Sequence, residues 1–396
     1  MELKNQGNQN NQGSDNIPTL RFPEFKDNWE KKKLGEVAEK IGDGLHGTPI
    51  YSDNSDIYFI NGNNLTNGKI EISETTKKVD VSIYEKNNKG LNLNTILISI
   101  NGTIGNIAKY NNERVMLGKS VGYFNFNENT DFYYHIFHTD TVQNYFISEL
   151  TGSTIKNLSL KTLRETEISF PTLSEQTKIA SFLTAVDEKI QALKKKHSLL
   201  EQYKKGVMQK LFSQELRFKD ENGEQFPEWS IKKIGNCLNY EQPTNYLVSS
   251  TEYDDKFETP VVTAGKTFIL GYTDETSGIF SNDLPVIIFD DFTTASQFVD
   301  FPFKAKSSAM KILKAKENTD IKFMYEALQM INYETGAHGR HWISVFAEME
   351  ILIPDYKEQI KISSFLSAID KKINSVNTLL LQTENWKKGL LQKMFC

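Results

Sequence analysis

From Ile179 the apolar positions fall at Leu183, Val186, Ile190 and Leu193, then His197 and Leu200. A second series runs through Ile362, Leu366, Ile369, Ile373, Val376 and Leu380. Steps of four and three alternate in both, the spacing of a coiled-coil seam. Each series predicts a helix of about 38 residues, or about 57 Å at 1.5 Å per residue. A domain of about 150 residues has no core that buries so long and narrow a stripe. The two helices must therefore pair with each other or with a partner. Ser174, just after Pro171, is the expected N-cap, with Glu175 in the favoured first turn. Outside these stretches the pattern changes to short β-like runs broken by Gly and Asn. Runs at 56–60, 95–100 and 122–126 belong to one region, and runs at 259–263 and 284–289 to another. Asn61-Gly62 and Asn101-Gly102 follow apolar runs and predict tight turns. Helical patches are expected near 132–150 and over 321–331.

The two seams belong to one duplicated segment. Residues 171–213 match residues 354–396 without a gap, each residue pairing with the one 183 positions later, and 19 of 43 pairs are identical. The repeat also reaches upstream. Leu20-Arg21-Phe22 is echoed by Leu216-Arg217-Phe218, and Trp29-x-x-Lys32-Lys33-Leu34-Gly35 by Trp229-x-x-Lys232-Lys233-Ile234-Gly235. Thr151-Gly152 and Thr335-Gly336 open similar approaches to Pro171 and Pro354, one residue different in length. The middles of the two copies differ. The expected fold is α+β: two domains, each with a small, mainly antiparallel sheet plus helices. Two long helices separate them and form an antiparallel coiled coil, with an internal pseudo-twofold repeat. The expected boundaries are a disordered tail over 1–16, domains at 17–170 and 215–353, and helices at 171–214 and 354–396.

Composition narrows the function classes. The tail is rich in Asn, Gln and Gly and has no apolar segment of a secretory signal. No run of 18 apolar residues exists, so no membrane span is expected. The two cysteines, Cys237 and Cys396, form no CxxC and no disulfide framework, which points to a reducing cytoplasm and away from a zinc site. The net charge of −5 is unevenly spread: the helical repeats carry +4 and +3, residues 1–170 carry −3 and residues 215–353 carry −9. Bulk charge does not call for nucleic acid, but a local basic face within an acidic domain is compatible with it.

The catalytic motifs fail on inspection. Gly118-Lys119-Ser120 and Gly265-Lys266-Thr267 lack the glycine that a phosphate-binding loop needs five residues earlier, where Glu113 and Pro260 stand. No Asn/Asp-Pro-Pro-Tyr/Phe run of an amino-methyltransferase occurs, and no nuclease triad. Lys194-Lys195-Lys196 reads as a solvated helix face. No catalytic and no metal-binding residues are expected, and the chain itself binds no cofactor.

The combination resembles the specificity subunits of type I restriction–modification enzymes, over nearly all of the chain past residue 16. The paired Pro-x-x-x-Glu-Gln-x-Lys-Ile-x-Ser-Phe-Leu segments at 171 and 354 carry the resemblance, as do the Lys-Lys-Gly-x-x-Gln-Lys-x-Phe endings at 204 and 387. Asp43-Gly44-Leu45-His46-Gly47-Thr48-Pro49 adds to it. It implies that each recognition domain reads one half of a bipartite DNA target, and that the coiled coil sets the gap. It implies two methyltransferase partners that bind S-adenosylmethionine, and two restriction/translocase partners that use ATP and Mg. The subunit performs no chemistry of its own. Base edges are read by Arg, Lys, Asn, Gln, Ser and Thr side chains. The residues expected to face DNA are His46, Thr48, Asn61, Asn63, Asn64, Lys119, Ser120, Lys156 and Asn157 in the first domain. In the second they are Lys266, Thr293, Thr294, Gln297, Lys306, Ser307, Arg340 and His341. Lys156 and Arg340 are expected to be equivalent. The competing reading is a coiled-coil adaptor that recruits two copies of a partner without touching DNA.

Overall fold

The computed structural model describes residues 4–5, 17–152, 156–334 and 339–396. Of the tail expected over 1–16, only Lys4–Asn5 lies among them, paired antiparallel with Leu20–Arg21. The chain divides into two units, one of residues 1–194 with 378–396 and one of residues 195–377. Each unit thus combines one α+β domain with the first half of the long helix that follows it and the second half of the other long helix.

In the first unit a four-stranded antiparallel sheet runs in the order Ile107–Lys109, Thr95–Ser99, Val121–Asn125, Lys40–Asp43. A three-stranded sheet joins Val115–Leu117, Ile57–Ile60 and Lys78–Val79, its first pair parallel. Strands 95–99 and 121–125 are buried throughout, although 122–126 alternates in sequence, and the buried Thr95 hydroxyl donates to Asn125 Oδ1 at 2.9 Å. Helices α1 (Thr130–Ile136), α2 (Asp140–Ser148) and α3 (Leu160–Glu165) follow. Strands Glu30–Lys33 and Glu167–Phe170 pair and bring the two ends of the domain together. The long helix α4 then runs from Leu173 to Phe212.

The second unit repeats the plan. Its four-stranded antiparallel sheet has the order Leu238–Glu241, Met310–Ala315, Val286–Asp290, Ser296–Val299. Its three-stranded sheet joins Ile269–Thr273, Thr259–Val262 and Lys304–Ala305, the last pair parallel. Helix α5 (Ile321–Gln329) is capped by Asp320, and Ser230–Lys233 pairs with Glu350–Ile353. The second long helix, α6, spans Tyr356–Met394.

Two local expectations are corrected. Asn101-Gly102 does lie between two antiparallel strands, with Gly102 at φ +73°, although the link spans 100–106 rather than a tight turn. Asn61-Gly62 does not: strand 57–60 pairs with neighbours elsewhere, and a Cβ on Gly62 would lie 2.1 Å from the Ser99 hydroxyl. That glycine serves close approach rather than a hairpin. The N-cap of α4 is Thr172 rather than Ser174, since Gln176 N donates to the Thr172 carbonyl at 2.9 Å. At the matching place Asp355 accepts from Lys357 N at 2.9 Å, which is helix-capping chemistry.

The repeated motifs turn out to be the joint between domain and helix. Arg21 closes a two-pronged ion pair on the buried Glu175, and Arg217 does the same on the buried Glu358. The carboxylate hydrogen bonds hold each guanidinium above its ordinary pKa, against some burial. Phe22 meets Phe182 edge-on at 5.9 Å, and Phe218 meets Phe365 at 5.6 Å. Trp29 packs against Phe395 and Trp229 against Phe212, again at matched positions. Gln176 and Gln359 each donate to the carbonyl of the preceding Pro, Pro171 or Pro354.

Within each unit the helix halves lie antiparallel. In the first, Lys194 pairs with Glu384 and Asp187 with Lys387; in the second, Lys204 pairs with Asp370. Ile179, Leu183, Val186, Ile190, Leu193, Ile362, Leu366, Ile369 and Val376 are buried, whereas Ile373 and Leu380 are half-buried.

Candidate nucleic-acid interface

Five segments of the first domain meet at one end of its sheet. Ser120 is the junction: its hydroxyl accepts from Gly62 N at 2.9 Å and donates to Asn61 Oδ1 at 3.0 Å. Its carbonyl accepts from Ile100 N, and the Ile100 carbonyl accepts from Leu158 N, both at 2.9 Å. Asn101 and Asn157 are bridged antiparallel, and Leu45 N reaches the Leu117 carbonyl at 2.8 Å. His46, Thr48, Asn63, Lys119 and Lys156 are thereby held near one another and exposed; Asn61, Ser120 and Asn157 are half-buried. The His46 ring lies 2.6 Å from the Asp43 carboxylate. Asn64 has no free end, because its Oδ1 accepts from Asn61 N and its Nδ2 donates to the Glu71 carbonyl. It shapes the turn that displays Asn63.

The second domain builds the same convergence around Asp291. Asp291 N donates to the Ala309 carbonyl at 3.1 Å, and the Asp291 carbonyl accepts from His341 N at 2.9 Å. Its carboxylate accepts from Trp342 N at 2.7 Å. Asp290 holds the adjoining turn by accepting from Phe292 N and Thr293 N. Thr293 is exposed, Thr294 sits at φ +59°, and the Ser307 hydroxyl accepts from Ala309 N. Gln297 ties the turn that carries the exposed Lys266 by donating to the Gly265 carbonyl at 3.2 Å. Lys306 reaches the Tyr253 hydroxyl at 3.2 Å. Arg340 is exposed.

His341 departs from expectation. It is buried, with its ring against Tyr333 and Nδ1 3.3 Å from the Tyr333 hydroxyl, so it supports the segment rather than facing outward. The equivalence of Lys156 and Arg340 also shifts by one residue. Leu158 N bonds to Ile100 as His341 N bonds to Asp291, so the structural counterpart of Arg340 is Asn157. The length difference between the copies thus falls before Asn157. The intervening residues of the two Thr-Gly loops, 153–155 and 335–338, lie outside the described residues.

Behind this surface a second matched position differs in chemistry. Phe132 of α1 and Phe323 of α5 are both fully buried, and the residues three further on, His135 and Glu326, are then matched positions in the two copies. Around Glu326 a closed ring forms: Lys204 contacts Glu326 and Asp370 at 3.1 and 2.7 Å, and Lys322 contacts the same pair at 2.7 and 2.8 Å. In the first unit the neutral His135 stands beside the Asp187–Lys387 pair. Burial, helped by the Lys387 charge, pushes its pKa down to about 2. Sequence inspection missed this equivalence, because α1 and α5 share little besides Phe132/Phe323 and Tyr134/Tyr325. It also missed Asp291 and Asn101, whose role rests on backbone hydrogen bonds that leave no letter pattern.

Residues 26–202 match the family described as the type I restriction modification DNA specificity domain. The type I restriction enzyme EcoR124I/EcoR124II specificity subunit of Escherichia coli is 44% identical over 163 residues, 39% of this chain and 40% of that one. The type I restriction enzyme MjaIX specificity subunit of Methanocaldococcus jannaschii is 28% identical over 239 residues, 55% of this chain and 53% of the relative. The matched segments thus span about half or less of these relatives' lengths. The fold is similar to that of the type I restriction–modification S subunit from M. genitalium, with a TM-score of 0.64, 17% identity, and coverage of 96% of this chain and 99% of that one. Residues 26–202 are thus similar to the DNA specificity domain of type I restriction–modification systems, and the fold of nearly the whole chain is similar to that of a solved S subunit.

Proposed function

We propose that this chain selects the DNA sequence for a type I restriction–modification complex and is not itself catalytic. The domain within 17–170 reads one half of a bipartite double-stranded target, and the domain within 215–353 reads the other. One observation carries the reading. Both domains bring matched segments to one end of the same sheet, and there expose different hydrogen-bonding side chains: Asn63, Lys119 and Lys156 in the first, Lys266, Thr293 and Arg340 in the second. One frame with two unlike surfaces suits an asymmetric, split site.

Two methyltransferase subunits bring S-adenosylmethionine, and two restriction/translocase subunits bring ATP and Mg. The long helices dock the methyltransferases and set the gap between half-sites. No helix among the described residues is long and apolar enough to cross a membrane; with both cysteines free, we place the complex in the cytoplasm. The test is to express the chain with its methyltransferase partner and map methylated adenines across the genome. A single bipartite motif is expected. Replacing residues 215–353 by the matching domain of a relative must change one half-site and leave the other. Inserting four residues in one helix, about 6 Å of rise, must change the gap alone. Methylation without a split motif overturns the reading.

A further inference from the structure

Strand pairing matches the two sheets residue by residue. Val121 opposes Ser99 as Met310 opposes Asp290, so Ile100 corresponds to Asp291 and Gly122 to Lys311. In the first domain Ile100 is buried, and its Cγ2 lies 3.0 Å from where a Gly122 Cβ would be. In the second domain an ion pair fills that place, with Lys311 Nζ 3.1 Å from the Asp291 carboxylate and the side chains 1% and 2% exposed. Lys311 also donates to Gln242 Oε1 at 3.2 Å.

A buried pair of charges is poor evidence for stability, since losing water offsets much of the attraction. The first domain fills the same place with an aliphatic side chain over a glycine, so the fold does not require the charges. They supply an acceptor instead: the Asp291 carboxylate takes Trp342 N at 2.7 Å, while the Asp291 carbonyl takes His341 N. Two consecutive amides directly after Arg340 are therefore fixed by one residue. The same residue directly follows Asp290, whose carboxylate and carbonyl hold the turn that carries Thr293 and Thr294. Lys311 orients the Asp291 carboxylate from 3.1 Å.

We propose that Asp291 and Lys311 are specificity-positioning residues, which set the placement of Arg340 and the Thr293–Thr294 turn against the half-site read by the second domain. This rests on the DNA-reading function above. The experiment uses the full chain in complex with its methyltransferase partner, and methylation of substrates carrying single mismatches in either half-site. Arg340→Ala identifies the half-site that the second domain reads. The double variant Asp291→Ile/Lys311→Gly installs the first domain's own solution and removes both charges, and Asp291→Asn/Lys311→Gln retains polar side chains without charge. For both, discrimination against mismatches in the half-site affected by Arg340→Ala is expected to fall about tenfold, within the range of one good base contact. Discrimination at the other half-site is expected to stay unchanged.

Folded double variants that keep full discrimination, or lose it equally at both half-sites, overturn the proposal. Failure of both to assemble would also overturn it, by making the pair structural. A wild-type complex without a bipartite motif would instead refute the DNA-reading function itself.

Discussion

Arg21 reaches both carboxylate oxygens of Glu175 at 2.7 Å, across 154 residues of chain. Glu175 is fully buried, so Arg21→Met leaves its charge unpaired away from water. A loss of about 3–5 kcal/mol is expected, the usual cost of breaking a buried pair from one side. Chemical unfolding of the purified chain checks it. Arg217→Met should act likewise on the second unit.

The ring around Asp370 predicts a response to acid. Burial raises the Asp370 pKa, but hydrogen bonds from Lys204 and Lys322 outweigh it, and the folded value lies below the ordinary 3.8. A depressed carboxylate stabilises the fold above its unfolded pKa and loses that contribution as pH falls through the folded value. Asp370→Asn should therefore melt below wild type at neutral pH, and the two curves should converge below about pH 3.8.

His135 gives the first unit an earlier sensitivity. Its folded pKa of about 2 lies far below the ordinary 6.5, so the unfolded chain takes up a proton that the folded one refuses. Stability should fall as pH drops below 6.5, by up to about 1.4 kcal/mol per pH unit. The charged and titratable groups that face it are Lys387, His138, Lys109 and Asp187. His135→Gln should remove this part of the slope in melts recorded from pH 7 to pH 5.

Leu183 and Leu366 are fully buried in the helix seam. Truncation of either to Ala should cost about 2–5 kcal/mol. Leu380→Ala, at a half-buried position, should cost less. Denaturant midpoints rank the three.

For DNA binding by the assembled complex, Lys156→Ala should weaken affinity for all sequences and lower the salt slope by about 1 if the lysine meets phosphate. Arg340→Ala should instead relax selectivity within one half-site. Titrations at several salt concentrations on matched and mismatched duplexes separate the two effects.

Much of this architecture was legible as repeated letters. Most positions of the 4-3 series are buried, with Ile373 and Leu380 half-buried, and the Leu-Arg-Phe and Glu-Gln motifs stood out as duplicates. What letters did not show is that these motifs touch, because the Arg21–Glu175 contact closes through strand pairing between distant segments. The candidate surface was visible as a set of turns, and their convergence depends on main-chain hydrogen bonds at Ser120 and Asp291. Residue type alone suggested that His341 would face DNA. Its backbone bond to Asp291 and the packing of Tyr333 turn it inward.

The Arg–Glu joint has a consequence for inheritance. The matched joints lie at the two margins of each domain: Arg21 and Phe22 against Glu175 and Phe182, and Arg217 and Phe218 against Glu358 and Phe365. A genetic crossover within these margins would exchange the interior of a domain while restoring these joints. Under the proposed function, recombination between related genes would change DNA specificity in one step, without a period of selection for refitting these joints.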